Sequence, residues 1–133
     1  LSTSERERGS LRVLARRYLL IALSCLAFSI IYESFSHGVY SCFMMVLFLF
    51  PLLLGFVPFS LLARTEILPP AAARRDYHAG IAALGIGSCL SGILEIYGTT
   101  SPYICFYWIV GPALLLSGMI RFFLFLRRRR SSV

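Results

Sequence analysis

Apolar and polar positions alternate on a coarse scale in this chain. Four long apolar stretches, at about residues 18–35, 41–63, 77–97 and 102–125, are divided by short polar connections. Each approaches the ~20 residues that an α-helix needs to cross a hydrocarbon core of ~30 Å. Soluble helices keep one polar face, and these stretches keep almost none. The pattern predicts an all-α, polytopic membrane protein with four transmembrane helices arranged as two hairpins.

Local breakers refine the four elements. Pro51, Gly55 and Pro58 recur at intervals of four and three, which places them on one helical face. Each proline removes one intrahelical hydrogen bond, so the second helix is expected to curve. Pro69-Pro70 punctuates a loop at 64–75, and Asp76 is a candidate N-cap for the third helix. Gly98 can close that helix, Ser101 can cap the next, and Pro102 suits its first turn. Ala79, Ala83, Gly87 and Ser91 recur every fourth residue along the third stretch. They predict a face of small residues on which another helix, in this chain or in a second copy, can approach closely.

Echoes join the two halves. Ser24-Cys25-Leu26 returns as Ser88-Cys89-Leu90, Tyr40-x-Cys42-Phe43 as Tyr103-x-Cys105-Phe106, and Pro51 with its leucines as Pro112. The separations drift from 64 to 61 residues (24 to 88, 51 to 112). Duplication of one hairpin would give a parallel repeat, and chance similarity between apolar stretches would give the same echoes.

Composition agrees with the pattern: 58% of residues are hydrophobic and 14% charged, and the mean hydropathy is +0.78. At 133 residues the chain holds one domain at most. All thirteen basic residues are arginine, and the net charge is +7. Five arginines precede the first stretch, three lie in the middle connection and five at the C-terminal end, while the other two connections have none. The positive-inside rule therefore puts both termini and the middle loop in the cytoplasm. On this basis residues 1–17 form a cytoplasmic Arg-rich segment, 18–126 the transmembrane domain and 127–133 a cytoplasmic basic tail. Tyr32, Tyr40, Tyr97, Tyr103, Tyr107 and Trp108 gather at the outer ends as an aromatic belt. No small-x-small cleavage site follows the first stretch, so it is expected to stay as a span and not be removed as a signal peptide.

The arginines flank apolar spans and are not interleaved with stacking aromatics. Anionic lipid headgroups, not nucleic acid, are the expected partners of the basic face. The four cysteines form no C-x-x-C pair and have no ligand-spaced histidine, which argues against a zinc or dithiol centre. Cys42 and Cys105 both open outward-starting spans, and a disulfide between them is left open.

Candidate chemistry concentrates in residues 31–41. From Arg17 to Glu33 is ~24 Å at helical rise, so Glu33 falls near the outer interface. His37 is four residues on, and Glu95 holds the equivalent end of the third stretch. If the first and third helices are neighbours, Glu33, His37 and Glu95 can converge as a cation- or proton-linked site; otherwise they are hydrated headgroup-level residues. His78 reads as a capping-turn residue. Nothing assembles into a nucleophilic triad or a glycine-rich phosphate loop, so no catalytic residue, metal or cofactor is assigned and a non-enzymatic role is expected.

The segment Tyr32-Glu33-x-Phe35-Ser36-His37-Gly38-Val39-Tyr40-Ser41, with Leu94-Glu95-Ile96-Tyr97-Gly98-Thr99-Thr100 and Tyr107-Trp108, resembles an uncharacterised group of small four-span membrane proteins of Gram-positive bacteria. The resemblance covers about residues 17–121. It implies a bacterial plasma membrane and supplies no activity. Small multidrug-resistance transporters are similar in size and span number, but their coupling glutamate lies mid-membrane in the first span, where this chain has no acidic residue. The expected function is that of an accessory or interaction protein, with a small oligomeric transporter or channel as the alternative.

Overall fold

The computed structural model describes residues 3–65 and 67–132. They form α1 (Thr3–Ser34), a second span made of α2 (Cys42–Val46), a π-helical stretch (Phe50–Phe56) and α3 (Val57–Thr65), then α4 (Ala71–Tyr97) and α5 (Ile104–Ser131). Four helical segments are long and apolar enough to cross a membrane, the second running from Cys42 to Thr65. The protein is all-α with four spans.

α1 starts far ahead of its apolar stretch. The arginine-rich lead-in belongs to the same 32-residue helix, whose length of ~48 Å exceeds the hydrocarbon core. Arg, Glu, Leu and Ala are good helix formers, and the one glycine there is a modest penalty. Packing supplies the rest. Leu11, Ala15, Tyr18 and Ala22 are buried at spacings of four, three and four, a single stripe of a helix. Leu11, Ala15 and Tyr18 of this stripe meet Phe59 and Ala63 of α3 and Ile81 of α4 in an apolar core cluster.

The second span breaks where its first proline requires. Pro51 has no N–H, and its ring crowds the carbonyl four residues back, at Leu47. α2 ends at Val46, its Leu47 N–H bonding Met44 O at 3.3 Å. The chain recovers as a π-helix, with the Val57 N–H reaching back five residues to Leu52 O. The expected smooth curve is thus a discontinuity.

α4 begins at Ala71, directly after Pro69-Pro70. Three alanines favour helix there, so the helix starts a turn and a half before Asp76. Neither Asp76 nor His78 belongs to a cap. Gly98 closes α4 at φ 74°, and the Ser101 hydroxyl accepts the Tyr103 N–H at 3.4 Å ahead of α5. α5 carries helix through the terminal arginines to Ser131.

The first span packs on the second, the second also on the third, and the third along its length on the fourth. In the α4–α5 seam, Gly80 and Gly87 alternate with Gly111 and Gly118. A Cβ on Gly80 would stand 2.8 Å from the backbone nitrogen of Leu115, and one on Gly118 2.8 Å from Ala73 O. Of the expected small-residue face, Gly87 and Ser91 are buried, Ala83 is half-buried and Ala79 exposed. A spacing of four rotates by ~40° per step around an α-helix, whereas a spacing of seven stays nearly in line. The seam therefore follows Ala73, Gly80 and Gly87.

Alternating span directions bring the arginine-bearing stretches to one end. There Asp76 pairs with Arg121 at 2.9 Å and Arg75 at 3.7 Å, and accepts the Ser117 hydroxyl at 3.0 Å, pinning α4 to α5.

Candidate functional site

Glu33, His37 and Glu95 all lie toward the end away from the arginines, each in a different local setting. α1 stops at Ser34, so Glu33 and His37 do not share a helical face. The chain turns through Phe35 N–H to Tyr32 O (3.2 Å) and Ser36 N–H to Glu33 O (3.1 Å). His37 takes a left-handed backbone, φ 57°, with Nδ1 2.9 Å from Phe35 O. Its side chain is exposed. Glu33 is half-buried, and its Oε1 is enclosed with no hydrogen-bond partner. Glu95 accepts a hydrogen bond of 2.5 Å from the Ser41 hydroxyl. Among the described residues, no hydrogen bond or ion pair links the three, and no cluster of three or more His, Cys, Asp or Glu is placed to hold a metal ion.

Ser41 leads instead to a polar network that organises the broken second span. Its Oγ caps α2, 3.4 Å from the Met44 nitrogen, while its proton goes to Glu95 on α4. Because Leu47 N–H is diverted to Met44 O, the Phe43 carbonyl lacks its α-helical donor. The Ser88 hydroxyl supplies one at 2.6 Å. From the other side, the Ser29 hydroxyl lies 2.8 Å from Met44 O and 2.9 Å from Cys25 O of its own helix. Ser29, Ser41 and Ser88 are essentially fully buried. Ser91 donates to Gly87 O at 2.7 Å and accepts the Trp108 indole N–H at 3.3 Å, and Phe43 and Phe50 pack against that indole. In lipid an unpaired backbone carbonyl is costly, and hydroxyls from neighbouring helices make a broken helix tolerable. The echoed Ser24 and Ser88 were visible in sequence, but not the carbonyl awaiting Ser88.

A second constellation joins three helices nearer the arginines. Tyr18 stacks on Phe59, ring centroids 5.7 Å apart and 4° from parallel. His78 lies 5.4 Å from both rings, and the Tyr18 hydroxyl hydrogen-bonds His78 Nδ1. Tyr77 meets Phe59 edge-on at 5.9 Å. Tyr18 also lies so close over Gly55 that no Cβ fits there. His78 is thus a packed, bonded residue of the third span.

Tyr18 and His78 of this bridge also line a groove of about 800 Å³ between α1 and α4, with Leu47 and Pro51 behind it. Leu14 and His78, Arg17 and Ile81, Tyr18 and Ala82, Ile21 and Gly85, Cys25 and Cys89 line it together. Cys25, Cys42, Cys89 and Cys105 are all free thiols. Comparison with family models, curated proteins and solved structures finds no match.

Proposed function

We propose that this four-span protein is a non-enzymatic accessory or interaction subunit of a bacterial plasma membrane, with both termini and the middle loop in the cytoplasm. The arginine-free outer connections support this orientation, and the resemblance of residues 32–41 to a Gram-positive group supports the compartment. The basic end rests against anionic headgroups of the inner leaflet.

One observation carries the reading of an interaction protein. The α1–α4 groove remains open, although Ile21, Cys25 and Phe28 of α1 recur along it at spacings of four and three. That is the stripe one helix offers another, sustained for ~10 Å. The hydrogen bonds of the buried serines, Glu95 and Trp108 around the second span support a structural use of these groups. The groove would take a transmembrane helix of a partner protein. A photoreactive amino acid at position 82, on the groove wall, should give one discrete protein adduct in native membranes. Adducts with lipid alone, or a ladder of unrelated proteins, would remove this reading.

The transporter alternative is favoured by the broken second span and by the enclosed, unbonded Oε1 of Glu33, since discontinuous helices frame ion sites in transporters. Under that reading Glu33→Gln with Glu95→Gln lowers cation flux into liposomes. Undiminished flux would dissociate these carboxylates from transport.

A further inference from the structure

We propose that the cleft between α1 and α3 is a binding site for a membrane lipid with a phosphomonoester headgroup. It refines the headgroup contact proposed above from diffuse attraction to one site, and it does not depend on a protein partner. The cleft measures about 600 Å³. Arg12 and Arg16 stand on one side, four apart and so on one face of α1, and Arg64 faces them from α3. Arg8, which has an interaction of its own within the protein, closes the far end. Among the described residues, no acidic side chain lines the space. Asp76, an acid of α4 near this end, is committed to Arg121 and Arg75 on another face.

Both walls change character in the same direction. Along α1, Arg12 and Arg16 give way to Leu19 and then to exposed Leu23; along the second span, Arg64 gives way to Ser60, Phe56 and exposed Leu53. A soluble anion would use only the basic end. A lipid would set its phosphate among the guanidinium groups and lay its chains along the leucines. A phosphomonoester carries about −1.5 to −2 charges and three acceptor oxygens, which suits several guanidinium groups offering paired N–H donors. A phosphodiester, with one negative charge, leaves most of that positive charge without a counterpart.

The test uses the full chain in nanodiscs of phosphatidylcholine with a small fraction of either phosphatidate or phosphatidylglycerol, reading retained lipid by native mass spectrometry. The wild-type protein is expected to retain one phosphatidate about tenfold more strongly than phosphatidylglycerol, a difference of the size a few added charge-assisted hydrogen bonds provide. Arg12→Gln/Arg16→Gln/Arg64→Gln should abolish the preference, and Arg127→Gln/Arg128→Gln/Arg129→Gln should keep it. Equal retention of the two lipids by the wild-type protein overturns the proposal without any variant having to fold. Equal loss in the two triple variants also overturns it, in favour of diffuse attraction. Displacement of phosphatidate by free inorganic phosphate would make the cleft a soluble-anion site and overturn the lipid assignment.

Discussion

The hydroxyl of Tyr18, on the first span, hydrogen-bonds Nδ1 of His78, on the third. The two residues are 60 positions apart in sequence, and Phe59 of the second span lies against both rings. This is the point at which three spans are fastened together at the arginine-bearing end. Tyr18→Phe keeps the ring and its stacking but leaves a histidine nitrogen without its partner. It should lower stability by about 0.6–2 kcal/mol, the range for hydrogen bonds between membrane helices and for buried groups left unpaired. Tyr18→Ala removes the ring as well and should cost roughly 3–5 kcal/mol, as for other large aromatics taken from a core. Thermal unfolding in detergent ranks the two; if they are equally stable, the ring does not fasten the spans.

Two glycines of α4 should respond in opposite directions to the same substitution. Gly80 faces the backbone of α5, and a Cβ there would stand 2.8 Å from the Leu115 nitrogen and 2.9 Å from Gly111 O. Backbone atoms cannot swing aside, so Gly80→Ala must push the helices apart, at a cost of roughly 1–3 kcal/mol. A methyl group on the Cα of Gly85 would meet nothing within 4 Å. Gly85→Ala gains helix propensity and should stabilise by roughly 0.4–1 kcal/mol. Melting temperatures of the two variants should therefore move apart from the wild-type value. If both fall, the α4–α5 seam is not where the structure puts it.

The sequence showed the spans because burial in lipid demands an unbroken apolar run, and that demand needs no tertiary knowledge. It also showed the α4–α5 turn, since Gly98 and Ser101 carry their own stop and start chemistry. Other features depended on neighbours. In the lead-in of α1, Leu11 and Ala15 pack on Phe59 and Ala63, residues about fifty positions away, a contact no local pattern reveals. The prolines announced a disturbed second span, but the serines that make the break tolerable come from α1 and α4. Glu33, His37 and Glu95 were candidates to converge at the outer ends of the first and third spans. Their fates diverged when α1 ended at Ser34 and when Ser41 came within reach of Glu95.

The serine contacts to the second span predict a local effect larger than their effect on overall stability. Ser88→Ala strips the Phe43 carbonyl of its hydroxyl donor, and Ser29→Ala does the same at Met44. Each change should cost about 0.6–2 kcal/mol. The double variant should loosen the segment from Cys42 to Leu47 first, because no continuous α-helix there shares the load. Amide hydrogen exchange at Met45 and Leu47 should accelerate in the double variant while α5 amides stay protected. Uniform acceleration throughout the protein would mean that the serines support the fold as a whole and not the break.

The four free thiols offer a direct check on the proposed orientation. Cys42 opens α2 and Cys105 lies in the first turn of α5, both exposed at the end away from the arginines. Cys25 and Cys89 are half-buried and line the α1–α4 groove within the spans. A thiol reacts as its thiolate, which needs water and is disfavoured in apolar surroundings. In a Cys25→Ser/Cys89→Ser variant, a membrane-impermeant maleimide added to intact cells should therefore modify Cys42 and Cys105. In a Cys42→Ser/Cys105→Ser variant the same reagent should find little to modify. If Cys42 and Cys105 react only after lysis, the arginine-bearing end faces outward, contrary to the positive-inside assignment. If oxidation instead protects both from the reagent until a reductant is added, the two thiols come together as a disulfide in the membrane, which would tie the start of the second span to the start of the fourth.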